Sequence, residues 1–166
     1  MNRFGKSLRN AIMGDVAGCL HGYQRNTVDV DVLIRNDDSA AVRQALESEG
    51  FSWNAKEKEF HSPAGIVIPF LLAGENAGGD SEVKLPDPAD ELVTTGIEDL
   101  PVLTLAKLIE SKLACGLGHL RRTHKDFADV IELIIHNQLN SSFARFLHKS
   151  LRLTYRELVR RSRRKA

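Results

Sequence analysis

The sequence lacks any stretch near the roughly 20 apolar residues that cross a bilayer. Its first residues, Met1 to Lys6, also lack the apolar run of a signal peptide. We therefore expect no membrane segment and a cytoplasmic location. Cysteine is scarce as well, and the 2 cysteines, Cys19 and Cys115, stand in apolar, helix-forming surroundings. This pattern excludes a disulfide framework, argues against a zinc site, and predicts two reduced, buried thiols.

Charge is also nearly balanced, because the formal net charge is +1 with 42% hydrophobic and 27% charged residues. This composition excludes a disordered chain and does not by itself call for nucleic acid. The distribution is uneven: residues 149–165 sum to +7 and the remainder to −6. Arg152, Arg156 and Arg160 recur every four residues there, which indicates either a solvated helix face or an RNA-binding surface.

A chain of 166 residues is long enough for one domain with an apolar core and short for two. We predict a single domain, with a core over 11–135 and a helical extension over 141–166. The expected class is α/β (α+β): a small mixed sheet packed by helices on one side, followed by a helical second half. The strands are expected at 11–13, 27–34 and 66–72, with a hairpin over 51–61, and a surface connection over 75–91. Helices are expected from Val16 to about Leu20, from Ser39, from Leu105, from Thr123 and from about Ser141.

The clearest strand carries two acids two residues apart, Asp29 and Asp31. Residues at this spacing point to the same face of a strand, so the two carboxylates project side by side. Mg²⁺ takes oxygen ligands from one or two carboxylates plus phosphates, which is what such a pair offers. The alternative is a half-exposed strand whose polar side is acidic. Aspartate is depleted in strands, which favours the metal pair.

Gly14 lies fifteen residues before Asp29, at the predicted turn from a strand into a short helix. Backbone amides at such a turn can accept an anion. A glycine turn followed by an Asp-x-Asp strand therefore predicts a phosphate cradle beside a metal pair.

Residues 13–31 resemble the motif of the small prokaryotic nucleotidyltransferases, in particular the stand-alone group that includes toxin-type members. The resemblance extends over roughly residues 11 to 135. It is carried by the glycine turn at Gly14, Ala17, His21-Gly22, Arg25 and Thr27-x-Asp29-x-Asp31, and by the helical stretches 101–113 and 125–133.

The resemblance implies the nucleotidyltransferase fold and its chemistry. Gly14 and its neighbouring amide would hold a nucleoside triphosphate, and Asp29 and Asp31 would bind Mg²⁺ or Mn²⁺. A hydroxyl of RNA or of a protein would attack the α-phosphorus and release pyrophosphate. Toxin-type relatives add an antitoxin protein as a partner to look for. Arg25 and Lys112 are further candidate nucleotide contacts; the alternatives are an exposed loop arginine and a lysine extending from an amphipathic helix.

Two residues depart from the family pattern. Pro69 stands where the family has its third carboxylate, and a proline in a strand predicts an edge strand or a local distortion. Asp15 replaces the small second residue of the glycine turn. It would face the triphosphate, serve as a substitute metal ligand, or cap the helix. Asp126 and Asp129 are interpreted as capping and solvent-exposed residues, with Thr123 and Asp126 as a capping box, and His21 as a packed, hydrogen-bonded histidine.

Three functions remain open on this evidence. The first is Mg²⁺-dependent nucleotidyl transfer. The second is a degenerate, noncatalytic protein of the same fold that binds nucleotide, RNA or a protein partner, which Pro69 and Asp15 favour. The third is an RNA-binding module that depends on the arginine stripe.

Overall fold

The computed structural model describes residues 8–164, which form seven β-strands and five α-helices. The starting residues Met1 to Lys6, and Lys165 of the basic segment, lie outside these residues. The strands are β1 (Asn10–Ile12), β2 (Val32–Ile34), β3 (Ser52–Asn54), β4 (Glu59–His61), β5 (Val67–Leu72), β6 (Thr94–Ile97) and β7 (Leu100–Leu103). The α-helices are α1 (Gly14–Leu20), α2 (Ser39–Ser48), α3 (Leu105–Gly118), α4 (Thr123–His136) and α5 (Arg152–Arg164).

The described strands form one mixed sheet in the order β3-β4-β5-β2-β1-β7-β6. β1 pairs antiparallel with β2 and parallel with β7, and β2 pairs parallel with β5. The hairpin β3–β4 extends the sheet on one side and β6–β7 on the other. The predicted mixed sheet with a helical second half is confirmed.

The two faces of the sheet carry different helices. Leu33 of β2 is buried in the main core with residues of α1, α3 and α4. Its neighbours Val32 and Ile34 point to the opposite face and line a cavity with Val42 and Leu46 of α2. The prediction of helices on one side only is therefore wrong, because α2 covers the second face.

The main core continues into the C-terminal segment, where 3₁₀ turns over Ser141–Phe146 and Lys149–Leu151 lead into α5. Tyr155, Leu158 and Val159 of α5 are buried in the same cluster as Leu113 and Leu133. The segment is also held by Glu110 of α3, whose Oε2 accepts a hydrogen bond from the backbone N–H of His148 at 2.6 Å. None of the helices within residues 8–164 is long and apolar enough to cross a bilayer.

Two predictions about the middle of the chain need correction. The hairpin β6–β7 was not predicted, because its turn uses Glu98 and Asp99 at positive φ (50° and 62°) instead of glycine or asparagine. The connection over 75–91 is only partly at the surface, since Val83 and Leu85 are buried in the core.

Candidate active site

Gly14 begins α1 with φ +65°, a conformation that favours glycine. A Cβ atom built on it would lie 1.8 Å from Oδ2 of Asp31. The carboxylate therefore occupies the space that a side chain at position 14 would need. The backbone N–H of Met13 donates to the carbonyl of Asp31 at 3.0 Å and joins the two segments. Gly14 and Asp31 are therefore in direct contact.

The predicted strand over 27–34 is interrupted, and Pro69 explains the interruption. β2 begins only at Val32, which pairs with Phe70, while Asp29 forms an isolated parallel bridge with Val67. In this common register Asp31 lies opposite Pro69, whose missing N–H cannot donate toward the carbonyl of Val30. The edge-strand alternative is wrong because β5 lies between β4 and β2; the local distortion is confirmed.

A cavity of about 380 Å³ opens at this point, between α1, the Asp29–Asp31 segment, β5 and α3. Both carboxylates of the predicted pair line it; Asp29 is exposed and Asp31 is partly buried. Pro69, at the position of the expected third acid, lines it beside them. The other polar lining residues are Asp15, Thr27, Glu75, Asn76, Ser111, Lys112, Cys115, Arg122, Lys125 and Asp126.

A network of ion pairs forms one wall of this cavity. Oδ1 of Asp15 lies 3.0 Å from Nζ of Lys112 and 3.5 Å from Nη1 of Arg25, and its Oδ2 lies 3.1 Å from Nζ of Lys125. Behind them, Asp129 accepts hydrogen bonds of 2.7 Å from both Lys112 and Arg25. The network links α1, the segment after it, α3 and α4.

Asp15 is therefore an ion-pair residue within the first turn of α1, and the helix-cap interpretation is wrong because Met13 holds the N-cap position. Burial on its own would raise the pKa of Asp15, but Lys112 and Lys125 outweigh it and bring the pKa from 3.8 to about 2. The carboxylate is thus ionised at any physiological pH. Its role in metal binding stays a prediction.

Lys112 is not a lysine that extends from an amphipathic helix, and Arg25 is not an exposed loop arginine, which were the alternatives to nucleotide contacts. The side chain of Lys112 is 6% exposed, so it does not extend from the helix into solvent. Burial would lower its pKa, but Asp129 and Asp15 raise it, so the ammonium stays charged. Arg25 is 24% exposed and binds Asp129, so it is no free loop arginine.

The interpretation of Asp126 and Asp129 as capping and solvent-exposed residues is wrong. Both residues are buried, with only 2% of each exposed. Thr123 donates its hydroxyl to the carbonyls of Gly116 and His119, so the predicted capping box is absent from α4 as described. A signal was present in the sequence: Asp126, Asp129, Val130 and Leu133 follow the i, i+3, i+4, i+7 spacing of one buried helix face. Among the described residues Oδ2 of Asp126 has no hydrogen-bond partner, although Nε of Arg122 lies 3.5 Å from it.

Asp29 and Asp31 contribute two carboxylates to the cavity, and carboxylate oxygen is a type of ligand that Mg²⁺ takes. Burial raises the pKa of Asp31, and Asp15 and Asp29 raise it further against the opposite effect of Arg122 and Lys112. A cation beside Asp31 would relieve this unfavourable environment. Across residues 8–164, His, Cys, Asp and Glu do not gather in threes that could hold a metal. The fit is thus to an ion whose remaining ligands are water and phosphate.

Other predicted residues have structural contacts. His21 is hydrogen-bonded through Nε2 to the carbonyl of Leu103 at 2.7 Å, as predicted. Both cysteines are free and only partly buried. Burial and the nearby Asp126 raise the pKa of Cys115 to about 11, so it stays a thiol at neutral pH and is a poor nucleophile.

A second cavity, of about 470 Å³ and more apolar, is lined by Trp53, Phe70 and Leu72. Phe70 and Leu72 alternate with Pro69 and Leu71 along β5, so they belong to the face opposite the acidic pair. Glu75, beyond the end of β5, lines both cavities.

Comparison with known proteins gives structural matches without sequence matches. No protein-family model and no curated protein matches this chain. The structure of ANT(2'')-Ia, an aminoglycoside nucleotidyltransferase, in complex with adenylyl-2''-tobramycin aligns with a TM-score of 0.57 at 14% identity, over 90% of this chain and 88% of that one. The solution structure of the antibiotic-resistance factor ANT(2'')-Ia aligns with a TM-score of 0.53 at 12% identity, over 95% and 84%.

Identities this low speak for the fold alone. The fold is nucleotidyltransferase-like, as the sequence predicted. The closer resemblance to small toxin-type members stays a prediction.

Proposed function

We propose that this protein binds a nucleoside triphosphate together with Mg²⁺ or Mn²⁺ in the cavity beside Gly14 and transfers its nucleoside monophosphate slowly to an acceptor hydroxyl. One observation carries the proposal: Asp29 and Asp31 line the same cavity as Gly14, with the Asp31 carboxylate against the glycine backbone. This arrangement sets two carboxylates, the ligand type that Mg²⁺ takes, beside the glycine turn that begins α1.

Four residues that line the cavity are given roles in this proposal. Asp29 and Asp31 would hold the divalent cation, which would neutralise charge on the transferring phosphoryl group. Lys112 and Lys125 add positive charge to the lining of the same cavity. The bond from the acceptor oxygen to the α-phosphorus forms as the bond to pyrophosphate breaks.

The acceptor is a hydroxyl of RNA or of a protein, as the toxin-type resemblance implies, and an antitoxin protein is then the partner to look for. The structural neighbour ANT(2'')-Ia was solved with an adenylylated small molecule, adenylyl-2''-tobramycin. A small hydroxyl-bearing amino sugar is therefore included in the acceptor panel.

A noncatalytic nucleotide-binding protein is the second candidate, and Pro69 favours it. Pro69 lies opposite Asp31 and lines the cavity where a third carboxylate would complete the metal site. Without that acid, the activation of the attacking hydroxyl should suffer more than nucleotide binding. Both candidate functions include nucleotide binding, and they differ in whether the nucleoside monophosphate is transferred to an acceptor.

Titration calorimetry tests the binding step. Mg²⁺ alone should bind weakly to the wild type, and more tightly with a nucleoside triphosphate present. Asp29→Asn and Asp31→Asn should each lose this coupling, while Asp37→Asn, an exposed acid outside the cavity, should keep it. Equal metal affinity in all four proteins would remove the acidic pair from the proposal.

Transfer is tested by incubation with each labelled nucleoside triphosphate, Mg²⁺ and RNA, protein or amino-sugar acceptors. Slow labelling that Asp29→Asn abolishes supports the transferase. Coupled binding of metal and nucleotide without any labelled acceptor supports the noncatalytic alternative.

A further inference from the structure

Asp15 forms ion pairs with both of the lysines that line the candidate nucleotide cavity. Its Oδ1 lies 3.0 Å from Nζ of Lys112, and its Oδ2 lies 3.1 Å from Nζ of Lys125. Asp15 and both lysines line the cavity. Each oxygen of the carboxylate thus engages one of the cations that a phosphate group entering the cavity would meet.

Asp129 is the more deeply buried anion of the network. Its side chain is 3% exposed and lies 2.7 Å from both Lys112 and Arg25. The side chain of Asp15 is 16% exposed and lies on the cavity side of these pairs. Buried charges need a partner, and Asp129 supplies one to Lys112 without Asp15. Without Asp15, Lys112 therefore keeps an anionic partner, which it shares with Arg25.

The charge balance shows what Asp15 does to an incoming anion. The five side chains Asp15, Arg25, Lys112, Lys125 and Asp129 sum to +1, and without Asp15 they would sum to +2. A phosphate chain that contacts these lysines therefore meets the like charge of Asp15, which competes for the same ammonium groups.

We propose that Asp15 is an internal competitor of the ligand's phosphate groups, holding Lys112 and Lys125 in the place of a phosphate and lowering the affinity of the cavity for polyphosphate. This inference rests on the proposed function only in naming the ligand. Lys125, whose side chain is 46% exposed, is the residue that exchanges Asp15 for phosphate, whereas Lys112 keeps Asp129.

Calorimetry with inorganic tripolyphosphate, without metal, tests the competition directly. Asp15→Asn keeps the shape of the side chain and removes its charge. It should bind tripolyphosphate about tenfold more tightly than the wild type, since a charge-assisted contact contributes about 1.5 kcal/mol or more. Asp15→Glu keeps the competing charge and should stay close to wild type.

Glu75→Gln is the matched control. It removes one negative charge from the lining of the same cavity, and among residues 8–164 Glu75 is not ion-paired. It should change tripolyphosphate affinity less than about twofold, because it releases no lysine. An equal gain in Glu75→Gln and Asp15→Asn would show a general charge effect and overturn the proposal. Unchanged or weaker binding in Asp15→Asn would overturn it as well.

A failure of the proposed function looks different. It would appear as Mg²⁺–nucleotide binding that ignores Asp29→Asn and Asp31→Asn, whereas the tripolyphosphate assay contains no metal. Asp15→Ser repeats the test if Asp15→Asn does not fold, with thermal melts to check both. The wild type gives a readout without substitution: bound tripolyphosphate should shift the NMR signals of the Lys125 ammonium and the Asp15 carboxyl carbon. An Asp15 signal that stays fixed while tripolyphosphate binds would contradict the exchange.

Discussion

The carboxylate of Asp31 lies so close to the backbone of Gly14 that a Cβ atom on the glycine would be 1.8 Å from Oδ2. This contact joins the turn before α1 to the acidic segment before β2. The absence of a side chain at Gly14 is therefore needed for the position of the Asp31 carboxylate as well as for the shape of the turn.

Gly14→Ala should therefore impair the acidic pair. We expect Mg²⁺-coupled nucleotide affinity to fall at least about tenfold, because the new methyl group displaces Asp31. Gly22→Ala is the matched control: Gly22 also has positive φ (+99°), but a Cβ there meets nothing within 4 Å. Both variants should lose about 1 kcal/mol of stability from backbone strain. If both also lost the same nucleotide affinity, the contact with Asp31 would be irrelevant to binding.

Pro69→Asp should raise the transfer rate, since it sets a third carboxylate opposite Asp31 in the cavity. Pro69→Ala is the control, because it restores the N–H toward Val30 without adding an acid. Labelled-nucleotide transfer should rise in Pro69→Asp and stay at the wild-type level in Pro69→Ala. A similar increase in both would assign the effect to the repaired strand.

Lys112→Met should destabilise the protein by about 3 kcal/mol or more, because it leaves Asp129 and Asp15 with fewer partners in a buried place. Lys125→Met removes a lysine of the same network whose side chain is 46% exposed, and should cost less than about 1 kcal/mol. Urea unfolding measures both. Equal losses would mean that the network is solvated throughout.

Acid should weaken the contribution of Asp15 within a defined range. Its folded pKa of about 2 is below the ordinary 3.8, so its stabilisation is present above about pH 4 and is lost as pH falls toward 2. The difference in unfolding free energy between wild type and Asp15→Asn should shrink over that range. Asp31, whose pKa is raised, should give the opposite trend with Asp31→Asn. Urea unfolding at several pH values checks both signs.

The arginine stripe of α5 is less uniform than its spacing suggests. Arg152 donates to the carbonyl of Leu147, and Arg160 pairs with Glu157. Arg156 is exposed. Truncation after Leu158 would remove the buried Val159, so point substitutions are the better test of RNA binding.

If the stripe binds RNA, Arg156→Ala with Arg160→Ala should lower the salt dependence of affinity by a slope of about 1.4 for single strands. Lys56→Ala, with a 90% exposed side chain elsewhere, is the control and should leave the slope unchanged. Fluorescence anisotropy over a salt series measures this. RNA affinity that is insensitive to salt in the wild type would remove the RNA-binding idea.

Much of the fold followed from local sequence patterns. The amphipathic spacing of Leu105, Leu108 and Ile109 predicted α3, and the hairpin predicted over 51–61 is observed as β3–β4. The hairpin β6–β7 was missed because Glu98 and Asp99 adopt positive φ without the usual turn residues.

The site was predictable only in part, for a reason of distance along the chain. Gly14 and Asp31 are close in sequence, and their motif indicated a shared cavity. The burial of Asp129 depends on Arg25, 104 residues away, and on Lys112. A local pattern does not reveal such a pairing, so an acid near a helix start was interpreted as solvent-exposed.

The burial of α5 residues also has a consequence for synthesis on the ribosome. Tyr155, Leu158 and Val159 complete the core around Leu113 and Leu133, and Ser162 is 5% exposed. This surface stays uncovered until the segment has left the exit tunnel. The nascent chain therefore exposes an apolar surface until residues 152–164 have left the tunnel, and it should depend on chaperones during elongation more than a protein whose core closes early.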